Sequence, residues 1–242
     1  MTFSTHSLSE IIFPNRSIRL SFLVLFLSPL YSCQTEPTPL IDSNLIESIR
    51  WYTGETGVVD DERAKQLLEL AAADEDALST MWIARVYSTG RMNFPADKSR
   101  AQAIANSVIS DVEAMANAGV SEAQFLMGTA YAETLGKDRN DTAAAGWYRR
   151  AADSGHVLAA HNMGNIHFSG TGVVQDDALA VFWWTQAARA GDAIPQYRLA
   201  QMFEQGRGVE LDLEQARSWY QDSARRGNTN AKIALERLQN KG

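Results

Sequence analysis

The chain has 242 residues, of which 45% are hydrophobic and 21% are charged, and its net charge is −7. This is an ordinary composition for a folded protein, and an acidic surface without blocks of Lys and Arg disfavours binding to nucleic acid. The single cysteine, Cys33, excludes a disulfide within the chain and a zinc site built from several cysteines.

The N-terminal segment has the features of an export signal. Arg16 and Arg19 precede the apolar run LSFLVLFLSPL over residues 20–30. This run is shorter than the roughly 20 apolar residues that cross a bilayer, and its length is typical of the apolar core of a secretory signal. The run ends in Leu-Tyr-Ser-Cys over residues 30–33, which resembles the bacterial lipoprotein signal, in which the cysteine is lipidated.

We therefore expect a signal peptide over residues 1–32, lipidation of Cys33 and a short extended tether over residues 33–42. Cleavage near Ser32 without lipidation and a buried helix are the alternatives. The lipoprotein interpretation implies membrane attachment through Cys33 and a location in the bacterial cell envelope, facing the periplasm. Gln34, in place of the Asp that retains enteric lipoproteins in the inner membrane, favours the outer membrane. Without lipidation, the protein would be periplasmic or secreted.

The remainder of the chain is internally repetitive. Trp147, Trp183 and Trp219 recur every 36 residues, and each is followed by a second aromatic residue, a pair of small residues and a closing glycine. These aligned positions are Tyr148, Trp184 and Tyr220; Ala151-Ala152, Ala187-Ala188 and Ser223-Ala224; and Gly155, Gly191 and Gly227. This register predicts a stack of similar units.

Each unit has the pattern of a helical hairpin. Ala123, Met127 and Tyr131 recur every four residues and predict the apolar stripe of a first helix. Gly128 and its equivalent Gly164 lie beside this stripe, and a glycine within a helix costs about 1 kcal/mol, which indicates close approach of a neighbouring helix. A Gly-x-Gly turn then reverses the chain, and a side-chain cap begins the second helix. The predicted caps are Asn140, Asp176 and Asp212.

We predict five hairpins, over residues 43–76, 79–119, 123–155, 159–191 and 195–227, and a capping helix over residues 228–242. A single hairpin cannot bury its apolar face, so the hairpins must stack. The predicted fold class is therefore all-α, an α-solenoid of stacked helix-turn-helix repeats over residues 43–242.

The pattern AxxxMGxxHxxGxGVxxDxxxAxxWWxxAAxxG over residues 159–191 resembles the Sel-one-like repeat, a relative of the tetratricopeptide repeat. The resemblance covers nearly all of the chain after the tether and is most specific in the last three units. It implies a right-handed superhelix whose first helices line a concave face, and a role as an adaptor or scaffold, often in bacterial envelopes.

Two positions of each first helix point away from the predicted core, at about 180° and 240° from its apolar stripe. In the related tetratricopeptide array this side lines the groove, so we expect these positions to contact a protein partner. The candidate partner-binding residues are Arg85, Thr129, Asn165, Phe168, Gln201 and Glu204. Phe168 is the aromatic exception among them, and packing of Phe168 against an adjoining helix is the alternative.

No arrangement of residues predicts catalysis, a metal site or a cofactor. His161 and His167 are about 240° apart around a helix and cannot hold one ion from one face. They occupy positions that are aromatic in other units, so we interpret them as aromatic substitutions, and His156 as a loop residue. Gly170-Thr171-Gly172 lacks the third glycine and the preceding strand of a dinucleotide site, which favours a repeat turn.

We expect a scaffold or adaptor that binds a protein partner through its concave groove, and neither nucleic acid nor a small-molecule substrate. A periplasmic immunity or inhibitor protein that neutralises a toxic effector is the alternative. A hydrolase of the β-lactamase-like repeat branch is a third hypothesis, but this chain lacks the paired cysteines of that branch.

Overall fold

The computed structural model describes residues 41–239, which form eleven α-helices and a short 3-10 turn, without strands. The predicted signal peptide, Cys33 and most of the tether lie outside the described residues. The helices are α1 (Ser43–Thr53), α2 (Asp61–Ala71), α3 (Ala77–Thr89), α4 (Lys98–Asn117), α5 (Ser121–Glu133), α6 (Asp141–Asp153), α7 (Val157–Ser169), α8 (Asp177–Arg189), α9 (Ala193–Gln205), α10 (Leu213–Arg225) and α11 (Thr229–Gln239). None of these helices has both the length and the apolar character that a membrane crossing requires.

Consecutive helices pair into five hairpins, which are α1–α2, α3–α4, α5–α6, α7–α8 and α9–α10, and α11 packs on the last of them. From α4 onward, the second helix of each hairpin also packs against the first helix of the next. The structure therefore confirms the predicted fold class, an all-α solenoid. The α3–α4 hairpin departs most from the repeat, because α4 has 20 residues where the second helices that follow it have 13.

Each second helix begins at a residue that makes two hydrogen bonds. The Asp176 carboxylate accepts from the Leu179 N–H at 2.9 Å, and the Asp176 N–H donates to the carbonyl of His167 in the first helix at 2.9 Å. One bond caps the second helix and the other fixes its start against the first helix. The same pair of bonds occurs in every hairpin, between the caps Asp60, Asp97, Asn140, Asp176 and Asp212 and the carbonyls of Trp51, Tyr87, Tyr131, His167 and Phe203. The predicted caps are thus confirmed.

In the α5–α6 and α7–α8 hairpins, the glycine within the first helix is covered by an aromatic ring of the second. A Cβ added to Gly164 would lie 2.3 Å from the Trp184 ring, and one added to Gly128 would lie 2.5 Å from the Tyr148 ring. The predicted close approach is confirmed, and the covering ring belongs to the second aromatic position of each pair. The preceding Trp position is more variable, since Trp147 is only half-buried.

The Gly-x-Gly turn also joins neighbouring hairpins. Gly170 and Gly172 both have φ of +73°, which favours glycine. A Cβ on Gly172 would lie 2.4 Å from the backbone of Asp141, where α6 of the preceding hairpin begins. Gly208 approaches the backbone of Asp177 equally closely. The second glycine of the turn is therefore needed for contact between hairpins as well as for the turn.

The first hairpin also contacts the end of the last one. The loop between α1 and α2 places the Val59 N–H 3.2 Å from the carbonyl oxygen of Arg226, to which it donates. In the same loop, the Cα of Glu55 lies 3.3 Å from where a Cβ on Gly191 would be. The concave side is therefore bounded by the first and last hairpins, a contact that the predicted concave groove did not include.

Gly164 and Gly146 offer a matched test of the glycine–aromatic contact. Gly164→Ala should lower the free energy of unfolding by about 1–3 kcal/mol, because the added methyl overlaps the Trp184 ring. Gly146 lies within α6 with nothing near its missing Cβ, so Gly146→Ala should raise the free energy of unfolding by up to about 1 kcal/mol. Urea denaturation of residues 34–242 measures both, and equal effects of the two substitutions would contradict the assigned contact.

Candidate binding cavity on the concave side

A cavity of about 520 Å³, open to solvent on one side, lies on the concave side between the first and last hairpins. Its wall comes from the end of α1, the start of α2, from α3 and α7, and from the starts of α9 and α11. Residues that differ widely in sequence position therefore meet here, among them Tyr52, Arg85, His161, Asn165, Ile194 and Asn228. A second cavity of about 200 Å³ adjoins it and shares Arg85, Arg91, Asn162 and Asn165.

Two of the six predicted partner-binding residues line this space. Arg85 and Asn165 belong to the walls of both cavities. Asn165 is exposed, and its side-chain oxygen accepts a hydrogen bond from Trp184 Nε1 at 3.2 Å. The structure thus brings Arg85 and Asn165 to one site, although they lie in different hairpins.

Thr129 and Phe168 do not line it. Thr129 is fully buried, accepts from the Tyr148 hydroxyl at 3.1 Å and donates to the Phe125 carbonyl at 3.3 Å. Its side chain is therefore a core partner of a buried tyrosine and is not available to a protein partner. The Phe168 ring lies 5.3 Å from the Trp184 ring, with the Arg207 guanidinium 4.2 Å above it. These contacts agree with the alternative in which Phe168 packs against an adjoining helix.

The remaining two residues, Gln201 and Glu204, lie at the far end of the solenoid. Gln201 donates to the Tyr197 hydroxyl at 3.0 Å. Glu204 accepts from the Tyr220 hydroxyl at 2.8 Å and from Arg237 at 2.6 Å, so it joins α9 to α10 and α11. Burial, followed by the hydrogen bond to Glu204 and its negative charge, raises the pKa of Tyr220, whereas the charge of Arg237 acts in the opposite direction. The site therefore includes only part of the predicted face, and residues from both the first and the last hairpins line it.

Arg85 is held against aromatic rings. Its guanidinium carbon lies 4.4 Å from the ring centre of Trp82, 5.2 Å from that of Phe125 and 5.7 Å from that of Tyr52. The residue is only 6% exposed, and its side chain donates no hydrogen bond to any residue within 41–239. Cation–π attraction is therefore the contact that orients this cation.

The carboxylates closest to Arg85 in this region already have partners. Glu122 accepts from Trp82 Nε1 at 2.6 Å and pairs with His156 Nε2 at 2.9 Å. Burial raises the pKa of Glu122, but His156 and the Trp82 hydrogen bond lower it by more, so it remains an anion. Glu133 likewise pairs with Arg91 at 2.7 Å and accepts from the Ser88 hydroxyl. Burial raises the pKa of Glu133 as well, but the hydrogen bond and charge of Arg91 lower it by more, so the pKa of Glu133 is lowered.

Two of the histidines form partly buried pairs with carboxylates that the sequence did not reveal. His156 lies in the connection before α7, as predicted, but its Nδ1 also accepts from the Ala159 N–H at 3.2 Å as the N-cap of α7 and its ring stacks on Phe125 at 4.6 Å. His161 lines the cavity, with Nδ1 2.8 Å from the carboxylate of Asp192. The aromatic-substitution interpretation did not anticipate this polar contact.

His167 lies in the core, at the position of an aromatic residue in other units. Burial lowers its pKa, although Asp176 acts in the opposite direction. Within the described residues, no three His, Cys, Asp or Glu side chains are grouped closely enough to hold a metal ion.

Several lining residues were absent from the prediction, notably Tyr52, Asn162, Ile194 and Asn228. Tyr52 and Asn228 reach the site only because the first and last hairpins meet. Periodicity within a repeat carries no signal for such a contact.

The repeat model described as "Sel1 repeat" matches residues 51–76, 121–156, 157–192 and 196–228, which is more than half of the chain. The α3–α4 hairpin falls between the matched ranges. No curated protein is significantly similar in sequence.

Solved structures share the fold. A Sel1 repeat protein from Oxalobacter formigenes is 29% identical over 74% of this chain and 50% of its own, with a TM-score of 0.54. A protective antigen of uropathogenic Escherichia coli that displays an SLR fold is 25% identical over 79% of this chain and 47% of its own, with a TM-score of 0.53. This chain thus spans about half the length of these structures. Sel1 repeats typically mediate protein–protein interaction. From the matched repeats and the shared fold, the chain belongs to the Sel1 repeat family.

Proposed function

We propose that this chain is a protein-binding scaffold of the bacterial cell envelope, with its partner seated at the mouth of the concave cavity. The observation that carries the proposal is the composition of this mouth. Ile194 is 50% exposed at the start of α9 and lines the same cavity as Asn165, Asn228 and Asn230. An accessible apolar anchor surrounded by hydrogen-bonding groups is the arrangement found at the centre of protein interfaces.

A binding function also suits the chemistry of the cavity better than catalysis. His161 is paired with Asp192, as a catalytic base would be oriented. However, no hydroxyl or thiol within residues 41–239 hydrogen-bonds to His161, so the pair lacks a nucleophile. We therefore propose that the protein is not an enzyme.

The envelope location rests on the N-terminal sequence. An apolar run over residues 20–30 ends at Cys33, and only the tether separates this cysteine from α1. Nine residues between Cys33 and Ser43 extend to at most about 30 Å. A lipidated Cys33 would thus keep the solenoid close to the membrane surface, and the outer membrane is the proposed site if the cell has one.

Lipidation is tested by fractionation. Cys33→Ser should move the protein from the membrane pellet to the soluble or unprocessed fraction, because the acylation site is lost. Ser32→Gly, which keeps a small residue before the cysteine, should remain in the pellet. Intact mass should show acyl chains on the wild-type Cys33. Equal pelleting of the Cys33→Ser variant, without lipid mass on the wild type, would disprove the anchor.

Partner binding is tested by site-specific photocrosslinking in cells. A photoreactive residue at Ile194 should crosslink a discrete protein, whereas one at Leu70, which is 60% exposed on α2 outside the cavity, should not. With the purified partner, Ile194→Glu should weaken binding by at least about tenfold, or 1.4 kcal/mol, because it places a charge at the apolar anchor.

Equal crosslinking from Ile194 and Leu70, or unchanged affinity of Ile194→Glu, would contradict the cavity mouth as the binding site. A captured partner that is toxic to the cell, and is neutralised by this chain, would favour the immunity alternative over a scaffold.

A further inference from the structure

Arg85 is a buried cation without a direct partner. Its Nε and Nη1 atoms are inaccessible and have no hydrogen-bond acceptor within residues 41–239. Nη2, which is not among the inaccessible atoms and also has no acceptor among these residues, is the atom available to a ligand. Buried charges in proteins are normally paired, because removing a charge from water is costly unless an opposite charge or hydrogen bonds replace the water. A residue that is 6% exposed and lines a cavity therefore marks a place where an anion would be stabilised.

The described residues do not supply this anion. Glu122 and Glu133 attract Arg85 at longer range, but neither lies within ion-pair distance of it. Both carboxylates are occupied, by His156 and by Arg91 respectively. Meanwhile the rings of Trp82, Phe125 and Tyr52 restrict the guanidinium, so that little side-chain entropy remains to be lost when a ligand binds.

The opposite charge is available on the same cavity wall. Asp61 lines the cavity, and its Oδ1 is buried without a hydrogen-bond donor among the described residues. Asn162 and Asn165 add amide groups that can both donate and accept. A ligand that carries only negative charge would meet Asp61 and Asp192, so the wall favours a ligand with groups of both signs.

We propose that this cavity binds an amino acid or short peptide, with the ligand's carboxylate at Arg85 and its ammonium group at Asp61. Guanidinium groups bind carboxylates by charge-assisted hydrogen bonds, which are about twice as strong as neutral ones. The volume of about 520 Å³ is within the range of small-ligand pockets. The site does not depend on the protein partner proposed above, and a bound ligand here would differ from the sequence-based prediction that the chain takes no small-molecule substrate.

The test uses the full chain in a non-ionic detergent and follows thermal unfolding by tryptophan fluorescence. The probes are tetrapeptides randomised at every position, supplied with free ends, with C-terminal amides or with N-terminal acetyl groups, together with glutamate and succinate. A ligand that binds only the folded state raises Tm in a saturable way. We expect the free tetrapeptides or glutamate to raise Tm, and the amidated peptides to bind at least about tenfold more weakly.

Arg85→Met should abolish this Tm increase, because it removes the cation while leaving an apolar chain against the rings. Arg100 is the matched control, since its guanidinium stacks 4.2 Å from the Tyr87 ring but is exposed and lies outside the cavity. Arg100→Met should respond to the probes as the wild type does. Should Arg85→Met fail to fold, Asn165→Glu replaces it, because a negative charge at this exposed lining position should repel the ligand's carboxylate.

Stabilisation by free peptides identifies a chain end as the ligand, and stabilisation by glutamate alone identifies a free amino acid. Stabilisation by succinate and acetylated peptides as strongly as by the free forms would overturn the role of Asp61. The proposal as a whole is overturned if no probe raises Tm, or if Arg85→Met, or in its place Asn165→Glu, responds as the wild type does. Crosslinking at Ile194 measures the protein partner separately, so either proposal can fail alone.

Discussion

The close contact between a glycine in the first helix and an aromatic ring in the second sets the spacing of the two helices in the α5–α6 and α7–α8 hairpins. The Trp184 ring occupies the space where a side chain on Gly164 would be, and Tyr148 does the same over Gly128. This contact sets how near the two helices lie, and the Gly-x-Gly turn then sets how near the next hairpin lies. Because the units repeat, small angles between them add up along the chain. The result is the curvature that brings Val59 against Arg226 and encloses the cavity.

The polar end of each buried ring also explains part of the variation along the predicted face. The Tyr148 hydroxyl donates to Thr129, whereas Trp184 Nε1 donates to Asn165, at the same position of the next hairpin. A buried Tyr or Trp usually has a hydrogen-bond partner, so the residue at this position differs between Tyr148 and Trp184. Variation between repeats was interpreted as the mark of a binding surface, but at Thr129 it reflects packing.

The sequence allowed prediction of everything that repeats locally, including the all-α solenoid, the cap at Asp176 and the close approach at Gly164. It did not allow prediction of the enclosed cavity, because that depends on angles summed over five hairpins. The charged residues of the cavity wall could not be predicted for a second reason. Arg85 belongs to the α3–α4 hairpin, which the repeat model does not match, so its surroundings have no counterpart in the regular units. The hairpin that departs from the repeat supplies the most distinctive residue of the site.

The cavity exists only if the first and last hairpins of the solenoid are in contact. This contact is measured most directly by the distance between two spin labels, attached to the cysteines of Val58→Cys and Arg225→Cys in a chain that also carries Cys33→Ser. Both positions are exposed and lie beside the Val59–Arg226 contact. A closed solenoid predicts one narrow distribution at short distance. A broad distribution at long distance would mean an open superhelix, and would contradict the enclosed cavity and the site at Arg85.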